Sequence, residues 1–381
     1  MGKGIPFGDE DNVLAALENS NRVCLLYLHI RAPHLEKLAT VIRQPFPALT
    51  KLQLSLKGRH EPILQVPSGF LGGSAPCLQE LYLNAIPFQE LPTLLLSAPD
   101  LVTLHLGSIP PTGYISPEAM VACLAALTSL RSLHIDFQST TSRPDRTDPA
   151  TGTRTVLPAL TYFEFSGVCD YVEDLVARID CPRLNGIDLS YLDPSVDFRV
   201  SQVFKFINRS EDPQLTLFSG IDVSPHPFPS QITLRLSHEY PYHIVIFISL
   251  IGCDWGLSHV AQVFGQLSAK LSNVRHLSIG SREQGPEIGH TEWVQLLYPF
   301  TTMQALYVFG GCVGHVALAL EGVDGEMTTE LLPALDLLCL KDQPVSSIAE
   351  FCAARQLSGR PVTFVRTRRE FDERLKSYLS K

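Results

Sequence analysis

The sequence lacks any run of about 18 apolar residues that could span a bilayer, and its first residues, Met1 to Pro6, lack the apolar stretch of a secretory signal peptide. It also lacks paired cysteines. The nine cysteines are odd in number and contain no C-x-x-C spacing, which disfavours a disulfide framework and a zinc site. These absences predict a cytoplasmic or nuclear protein whose thiols are reduced and buried.

Charge is scarce as well, and its balance is acidic. Charged residues make up 18% of the sequence and the formal net charge is -9. Proteins that bind nucleic acid or anionic membranes draw much of their affinity from lysine and arginine. We therefore expect no general nucleic-acid binding and no membrane association, while the 45% of hydrophobic residues is enough to build a sizeable core.

Catalytic signatures are missing too. No G-x-S-x-G motif occurs, and the glycine-rich stretch 70–74 is not followed by a lysine at phosphate-binding spacing. His238 and His243 superficially resemble the two ligands of a zinc-protease helix, but they are one residue too far apart and Pro241 would break that helix. The sequence predicts no catalytic, cofactor-binding or metal-binding residue, and hence no enzyme.

What the sequence has is one apolar motif repeated along almost the whole chain: an apolar residue, two others, an apolar residue, one other and a further apolar residue. Successive copies are roughly 23 to 32 residues apart, which is typical of leucine-rich repeats, except for a gap of 90 residues between Leu184 and Val274. The copies begin at Val23, Leu49, Leu78, Leu101, Leu130, Leu160, Leu184, Val274, Met303 and Leu335. The predicted fold is an α/β leucine-rich-repeat solenoid, a horseshoe with one parallel strand per repeat and helices or irregular segments on the convex side.

The motif also predicts which side chains face the core. Side chains alternate across a strand, so Leu81 and Leu83 point inward while Glu80, Tyr82 and Asn84 point outward. Between the predicted strands, helix-like apolar spacing occurs, for example over 117–127 and 255–271.

The predicted organisation has three parts. Residues 1–22 form an N-terminal capping segment, 23–340 the repeat array, and 341–381 a C-terminal cap with a charged tail. Inside the array, 138–155 is rich in Thr, Ser, Pro, Asp and Arg and is predicted to be a mobile loop, and 193–271 is an irregular stretch. The irregular stretch fits either three units with at least one degenerate copy, or an insertion. One continuous body is expected.

The outward strand face is the best candidate site. Its central positions, in order, are Tyr27, Gln53, Tyr82, His105, His134, Glu164, Asp188, Ser278 and Tyr307. Tyrosine and histidine combine flat apolar area with a polar tip, a combination enriched in protein interfaces, although strand packing alone also favours aromatics. The predicted partner-binding residues are Tyr82, His105, His134, Tyr162, Glu80, Asn84, Asp136 and Glu164.

Four segments resemble the leucine-rich half of the large F-box-like proteins of mushroom-forming basidiomycete fungi. They are 91–106 (LPTLLLSAPDLVTLHL), 113–120 (GYISPEAM), 293–300 (WVQLLYPF) and 353–362 (AARQLSGRPV). In that family the repeats follow an amino-terminal F-box that docks on the Skp adaptor of a cullin ubiquitin ligase. The resemblance implies that the repeats select the ligase substrate.

The chain departs from that family at its amino terminus. Residues 1–48 contain no Leu-Pro-x-Glu start and no three-helix apolar pattern, so the F-box is either lost or truncated. The predicted function is a non-catalytic protein-binding repeat scaffold that uses its concave strand face for a partner as yet unidentified. The alternative is an active substrate-receptor subunit of a Skp-cullin-F-box ubiquitin ligase, with Skp and cullin subunits as partners.

Overall fold

The computed structural model describes residues 17–31, 42–56, 69–87, 91–139, 153–192, 200–211, 219–225, 231–237, 244–251, 257–281, 290–321, 331–341 and 348–379. The chain divides into two compact units, Met1–Leu184 and Asn185–Lys381, whereas the sequence predicts one continuous body.

The first unit is built on parallel strands. Six of them pair in chain order: β1 (Leu25–Ile30), β2 (Lys51–Leu56), β3 (Glu80–Asn84), β4 (Thr103–Ile109), β5 (Ser132–Phe137) and β7 (Tyr162–Gly167). Two short strands, β6 (Thr155–Val156) and β8 (Ile179–Asp180), pair separately and also in parallel. One parallel strand per motif copy is the arrangement that a leucine-rich repeat requires.

The register of this sheet confirms the predicted core positions. Leu52 pairs with Leu81, Leu81 with Leu104, and Leu104 with Leu133. All four side chains are fully buried. Identical motif positions on neighbouring strands therefore lie side by side, because the two-residue period fixes which face each side chain takes.

In the described part of the first unit, three helices follow strands: α1 (Leu91–Leu96), α2 (Pro117–Leu124) and α3 (Cys169–Arg178). In α2 the side chain of Ser116 caps the helix by accepting a hydrogen bond from the Ala119 amide, and Pro117 takes the first helical position. The apolar spacing over 117–127 thus correctly predicts a helix, which ends at Leu124.

In the second unit the first strand and the last four strands are parallel to the strands they pair with. Its strands are β9 (Gly186–Leu192), β10 (Gly220–Pro225), β11 (Gln231–Ser237), β12 (Ile244–Ile251), β13 (His276–Ser281), β14 (Ala305–Gly310), β15 (Leu337–Leu340) and β16 (Thr363–Val365). From β13 to β16 they pair in chain order and in parallel, as predicted. Strand β16 lies within the segment predicted as the C-terminal cap, 341–381.

The middle of the second unit departs from one parallel strand per repeat. Strands β10, β11 and β12 form an antiparallel meander, and β11 runs opposite to its neighbours. The meander enters the sheet in reverse order, because β12 pairs with β9 and β10 pairs with β13. Parts of 193–271 lie outside the described residues, but the described strands within it form an antiparallel meander, which differs from three regular repeats with one parallel strand each.

The helices of the second unit are α4 (Ser201–Ile207), α5 (Leu257–Leu271), α6 (His290–Leu297), α7 (Cys312–Glu321), α8 (Ala349–Leu357) and α9 (Arg368–Leu379). On the last strands of this unit the sequence predicts an exposed outward face, but helix α9 covers that face. It packs on the outward face of β14 and β15, where Phe371 buries its ring against Tyr307 at 5.3 Å between centroids. Ser278 and Tyr307, predicted as central positions of the outward face, are therefore buried.

Several predictions fall partly outside the described residues. Of the loop predicted over 138–155, only 138–139 and 153–155 are described, and of the predicted N-terminal segment 1–22 only 17–22. His238 and His243 also lie outside the residues that the structure describes. Among the helices that are described, none has the length and apolar character needed to cross a membrane.

Candidate protein-binding face

Six side chains form one row across the outward face of the first unit. In register they are Tyr27, Gln53, Tyr82, His105, His134 and Glu164, and we call them the outward row. Neighbouring strands lie about 4.8 Å apart, so five spacings give a row roughly 24 Å long. The sequence correctly predicts that these positions face away from the core in adjacent strands.

One end of the outward row is tied together around Lys51. Its Nζ lies 2.5 Å from Glu80 Oε2. The same nitrogen lies 5.6 Å and 5.0 Å from the ring centroids of Tyr27 and Tyr82, within range of cation–π attraction. The Tyr82 hydroxyl donates to Glu80 at 3.2 Å. These contacts hold four side chains in one arrangement before any partner arrives.

The electrostatics agree with this arrangement. The hydrogen bond to Glu80 raises the pKa of Lys51, which keeps its ammonium charged. Burial raises the pKa of Tyr82, and the neighbouring Glu80 carboxylate raises it further, so the phenol stays neutral and can donate. Lys51 is not among the predicted partner-binding residues, although it contacts both tyrosines.

The other end of the outward row is a stacked histidine pair. The rings of His105 and His134 are parallel within 5°, with centroids 3.8 Å apart. Tyr82 continues the row at 5.6 Å from His105. Burial, followed by the nearby His134, lowers the pKa of His105. The lowered pKa favours the neutral form of the His105 imidazole.

Glu164 completes this end of the row. Its Oε2 lies 2.9 Å from His134 Nδ1. Hydrogen bonding to His134 is the largest cause that lowers the pKa of Glu164, and a hydrogen bond to Tyr162 lowers it further. Tyr162 is 38% exposed and lies beside the row, opposite Ser132, as the strand register predicts.

Asp136 has a structural role that the sequence did not predict. Strand β4 contains a bulge between Leu106 and Ile109, and Ser108 within it adopts a positive φ of 48°. The amide of Ser108 donates to Asp136 Oδ2 at 2.9 Å. The Asp136 carboxylate thus satisfies a backbone group that the bulge removes from the sheet ladder.

We expect Asp136→Ala to destabilise the protein by about 1 to 3 kcal/mol, because it leaves the partly buried Ser108 amide without its acceptor. Asp136→Asn keeps an acceptor oxygen and should cost much less. Chemical denaturation of the two variants measures the difference. Equal stability of Asp136→Ala and the unaltered protein would show that the bulge does not need this side chain.

A shallow cavity of about 270 Å³ opens beside the outward row at the ends of β1 to β4. Its polar lining comes from His29, Gln53, Ser55, Tyr82, Asn84 and His105. Gly107 shapes this region, since a Cβ there would lie 2.9 Å from His105 Nε2 and 3.1 Å from Asn84 Nδ2. Of the predicted partner-binding residues, Asn84 therefore lies at the cavity and not in the row. No local sequence signal marks Gly107 or Ser55.

Among the residues that the structure describes, no group of three or more His, Cys, Asp or Glu side chains could hold a metal ion. The chemistry that the outward row offers is hydrogen bonding, aromatic stacking and one flanking ammonium–carboxylate pair. These groups suit recognition of another protein surface.

No family model matches this chain, and no curated protein matches it. A solved structure with a similar trace is an internalin, InlF, from Listeria monocytogenes strain 4b F2365. The two share 12% sequence identity over 90% of this chain and 92% of the internalin, with a TM-score of 0.33. That score is too low to carry structural or functional detail across. The resemblance to fungal F-box-like proteins stays a prediction.

Proposed function

We propose that this protein is a non-catalytic protein-binding repeat scaffold, and that the outward row of the first unit is its main contact surface. The observation that carries the proposal is the register itself. Six parallel strands align tyrosine, glutamine, histidine and glutamate side chains into one contiguous, half-exposed line. Repeat proteins use such extended strand faces to bind their partners.

The side chains of the outward row are also pre-ordered, which favours binding. Ordering a long side chain at an interface costs roughly 0.5 to 1.5 kcal/mol. Lys51 already bonds to Glu80, and His134 already contacts Glu164. Because these side chains are held before association, much of that cost falls on folding and not on binding.

The proposal also specifies the class of partner. We take the partner to be a protein selected in the cytoplasm or nucleus, with the chain related to the substrate-recognition part of F-box proteins. The four segments that resemble that family support this relation. The alternative, an active subunit of a Skp-cullin-F-box ligase, rests on the same segments. A pull-down analysed by mass spectrometry distinguishes the two, because only the ligase subunit would recover Skp and cullin.

A set of alanine variants tests the contact surface once that pull-down identifies a partner. Tyr82→Ala, His105→Ala, His134→Ala and Tyr162→Ala are each compared with the unaltered protein by calorimetry, after circular dichroism shows that they fold. We expect one or two of them to lose more than about 2 kcal/mol of binding free energy and the others little, as interface hot spots do.

The matched control is Val156→Ala, an exposed apolar side chain of the same unit that lies on β6 and away from the outward row. It should bind as the unaltered protein does. Unchanged affinity in all four row variants would exclude the outward row as the contact surface.

A further inference from the structure

A second row of positions runs beside the outward row, two residues further along each strand and on the same face. The register pairs His29 with Ser55, Ser55 with Asn84, and Asn84 with Gly107, and we call these four residues the second row. Two of the four are small, since Ser55 has a short side chain and Gly107 has none. The cavity of about 270 Å³ opens along this row, so the register explains where the space comes from.

Two nitrogen atoms converge above Gly107 at one end of the second row. A Cβ at that position would lie 2.9 Å from His105 Nε2 and 3.1 Å from Asn84 Nδ2, so both nitrogens approach the same point. The His105 ring is held there by its stacking on His134. Imidazole and amide nitrogens are hydrogen-bond donors. Within the described residues, neither of these two nitrogens has an acceptor.

The carboxylates on this face of the sheet are already engaged. Glu80 bonds to Lys51, and Glu164 bonds to His134. Asp136 accepts from a backbone amide in the β4 bulge. They therefore leave the two nitrogens above Gly107 open to an acceptor from outside the chain.

The lining of the cavity selects among the groups that could enter it. The described residues that line it include no aspartate or glutamate and no lysine or arginine. An entering cation would find no counter-charge, and a phosphate would find none of the arginines that usually bind it. Pockets for whole small molecules measure about 300 to 1,000 Å³, so this smaller cavity suits one side chain. A single carboxylate is the group that the two donors fit.

We propose that the cavity is a subsite for one acidic side chain, glutamate or aspartate, of the partner protein, with Asn84 and His105 donating to its carboxylate. Gly107 leaves room for the carboxylate between the two donors. The inference rests on the proposed function, because it takes the outward row as the surface on which that partner lies. The row supplies contact area, and the subsite selects for negative charge.

Binding of a carboxylate at the subsite should be accompanied by proton uptake. In the unbound protein, burial and then His134 lower the pKa of His105, whereas Glu164 and Asp136 act in the opposite direction. On β3 the neighbouring ring is the neutral Tyr82. A carboxylate beside Nε2 favours the imidazolium, so binding raises the His105 pKa. Affinity should therefore increase as the pH falls toward the ordinary histidine pKa of 6.5.

A small probe tests the subsite on the full chain without the partner. The probe is N-acetylglutamate α-amide, and its neutral control of the same shape is N-acetylglutamine α-amide. Because His29 also lines the cavity, nuclear magnetic resonance of ¹³C-labelled histidine follows His29 and His105 separately. We expect a Kd on the order of millimolar for the glutamate probe, as befits so small a ligand. The Kd should be about threefold or more lower at pH 6 than at pH 7.5. The glutamine control should not saturate.

Two variants block the subsite in different ways. Gly107→Ala fills the point where the donors converge, and the atoms that its Cβ would meet are side-chain tips and not backbone. Asn84→Ala removes one donor and leaves the space. Each should weaken binding of the glutamate probe by about tenfold, the effect of losing a hydrogen bond to a charged group. The matched control is Ser132→Ala, on β5 outside the cavity, which should bind as the unaltered protein does.

Four outcomes would overturn the proposal: no binding of the glutamate probe at millimolar concentration, equal binding of the glutamine control, unchanged affinity in both Gly107→Ala and Asn84→Ala, or tighter binding of N-acetylphosphoserine α-amide. The last outcome would make the cavity a phosphate site. These measurements use no partner, whereas the alanine variants of the outward row are tested on the partner itself. Failure of the subsite is therefore distinguishable from failure of the proposed function.

Discussion

Leu52→Asp is expected to lower the free energy of unfolding of the first unit by about 4 kcal/mol or more. Leu52 is fully buried, and it pairs with Leu26 on one side and Leu81 on the other. The substitution removes apolar contacts from three strands and leaves a carboxylate in an apolar interior. A loss of that size is a large fraction of the stability of an ordinary domain.

The adjacent position supplies the control. Gln53 follows Leu52 in β2 but is exposed on the outward row, so Gln53→Asp introduces the same charge without burying it. Its cost should stay below about 1 kcal/mol, the range of strand propensities. Hydrogen exchange followed by mass spectrometry reads each unit separately. Comparable loss of amide protection in the first unit for both variants would mean that the assigned strand register is wrong.

The second large effect is a loss of stability in mild acid that depends on His276. This side chain is 8% exposed, and burial together with the nearby Arg368 guanidinium lowers its pKa from 6.5 to about 4. The native state therefore holds His276 neutral at pH values where the unfolded chain protonates it. The part of the free energy of unfolding that depends on neutral His276 is fully present above pH 6.5 and is lost as the pH falls toward 4. The total loss is roughly 3 kcal/mol.

His276→Asn removes the titrating group and should flatten this part of the stability profile. Denaturation midpoints of both proteins, measured from pH 7 down to about pH 4, isolate the effect as a difference that grows with acidity. Titrating groups other than His276 contribute equally to both proteins and cancel. Profiles that run parallel across the range would show that His276 is not held neutral.

The strand order and the core side of each strand in the described part of the first unit could be predicted from the sequence, because the motif fixes which face each side chain takes. Leucines at alternating positions determine the core side of each strand, and the recurrence of the motif on successive strands places identical positions side by side. That is why Tyr82, His105 and His134 align as predicted. The contacts between them could not be predicted, since the stacking of the two imidazoles depends on ring rotation and not on strand spacing.

The meander of the second unit could not be predicted from the sequence, for a different reason. Strand β12, Ile244–Ile251, is an almost continuous apolar run and carries no alternation. Such a run fits a strand buried on both faces as well as a helix segment, so the pattern alone does not decide. Thr233 to Leu236, inside β11, alternates polar and apolar residues as a half-buried strand does. Its antiparallel direction leaves no trace in a local pattern.

The covering of Ser278 and Tyr307 was missed because alternation shows which side of a strand faces the core and not what lies on the other side. One signal was nevertheless present. In β14 and β15 the outward positions Ala305, Leu337 and Cys339 are apolar, so these strands are apolar on both faces. A strand of that kind is normally covered on both sides, and helix α9, which follows β16, provides the cover.

The reversed order of the meander bears on how the second unit assembles during synthesis. In a regular repeat array each new strand adds to the one made just before it, so the growing edge is covered as the chain emerges. Strand β9 instead pairs with β12, which is made only after β10 and β11. Until then that edge of β9 presents open backbone groups, a ready template for association with other chains. Newly made chains are therefore most exposed to misassembly between the appearance of β9 and that of β12.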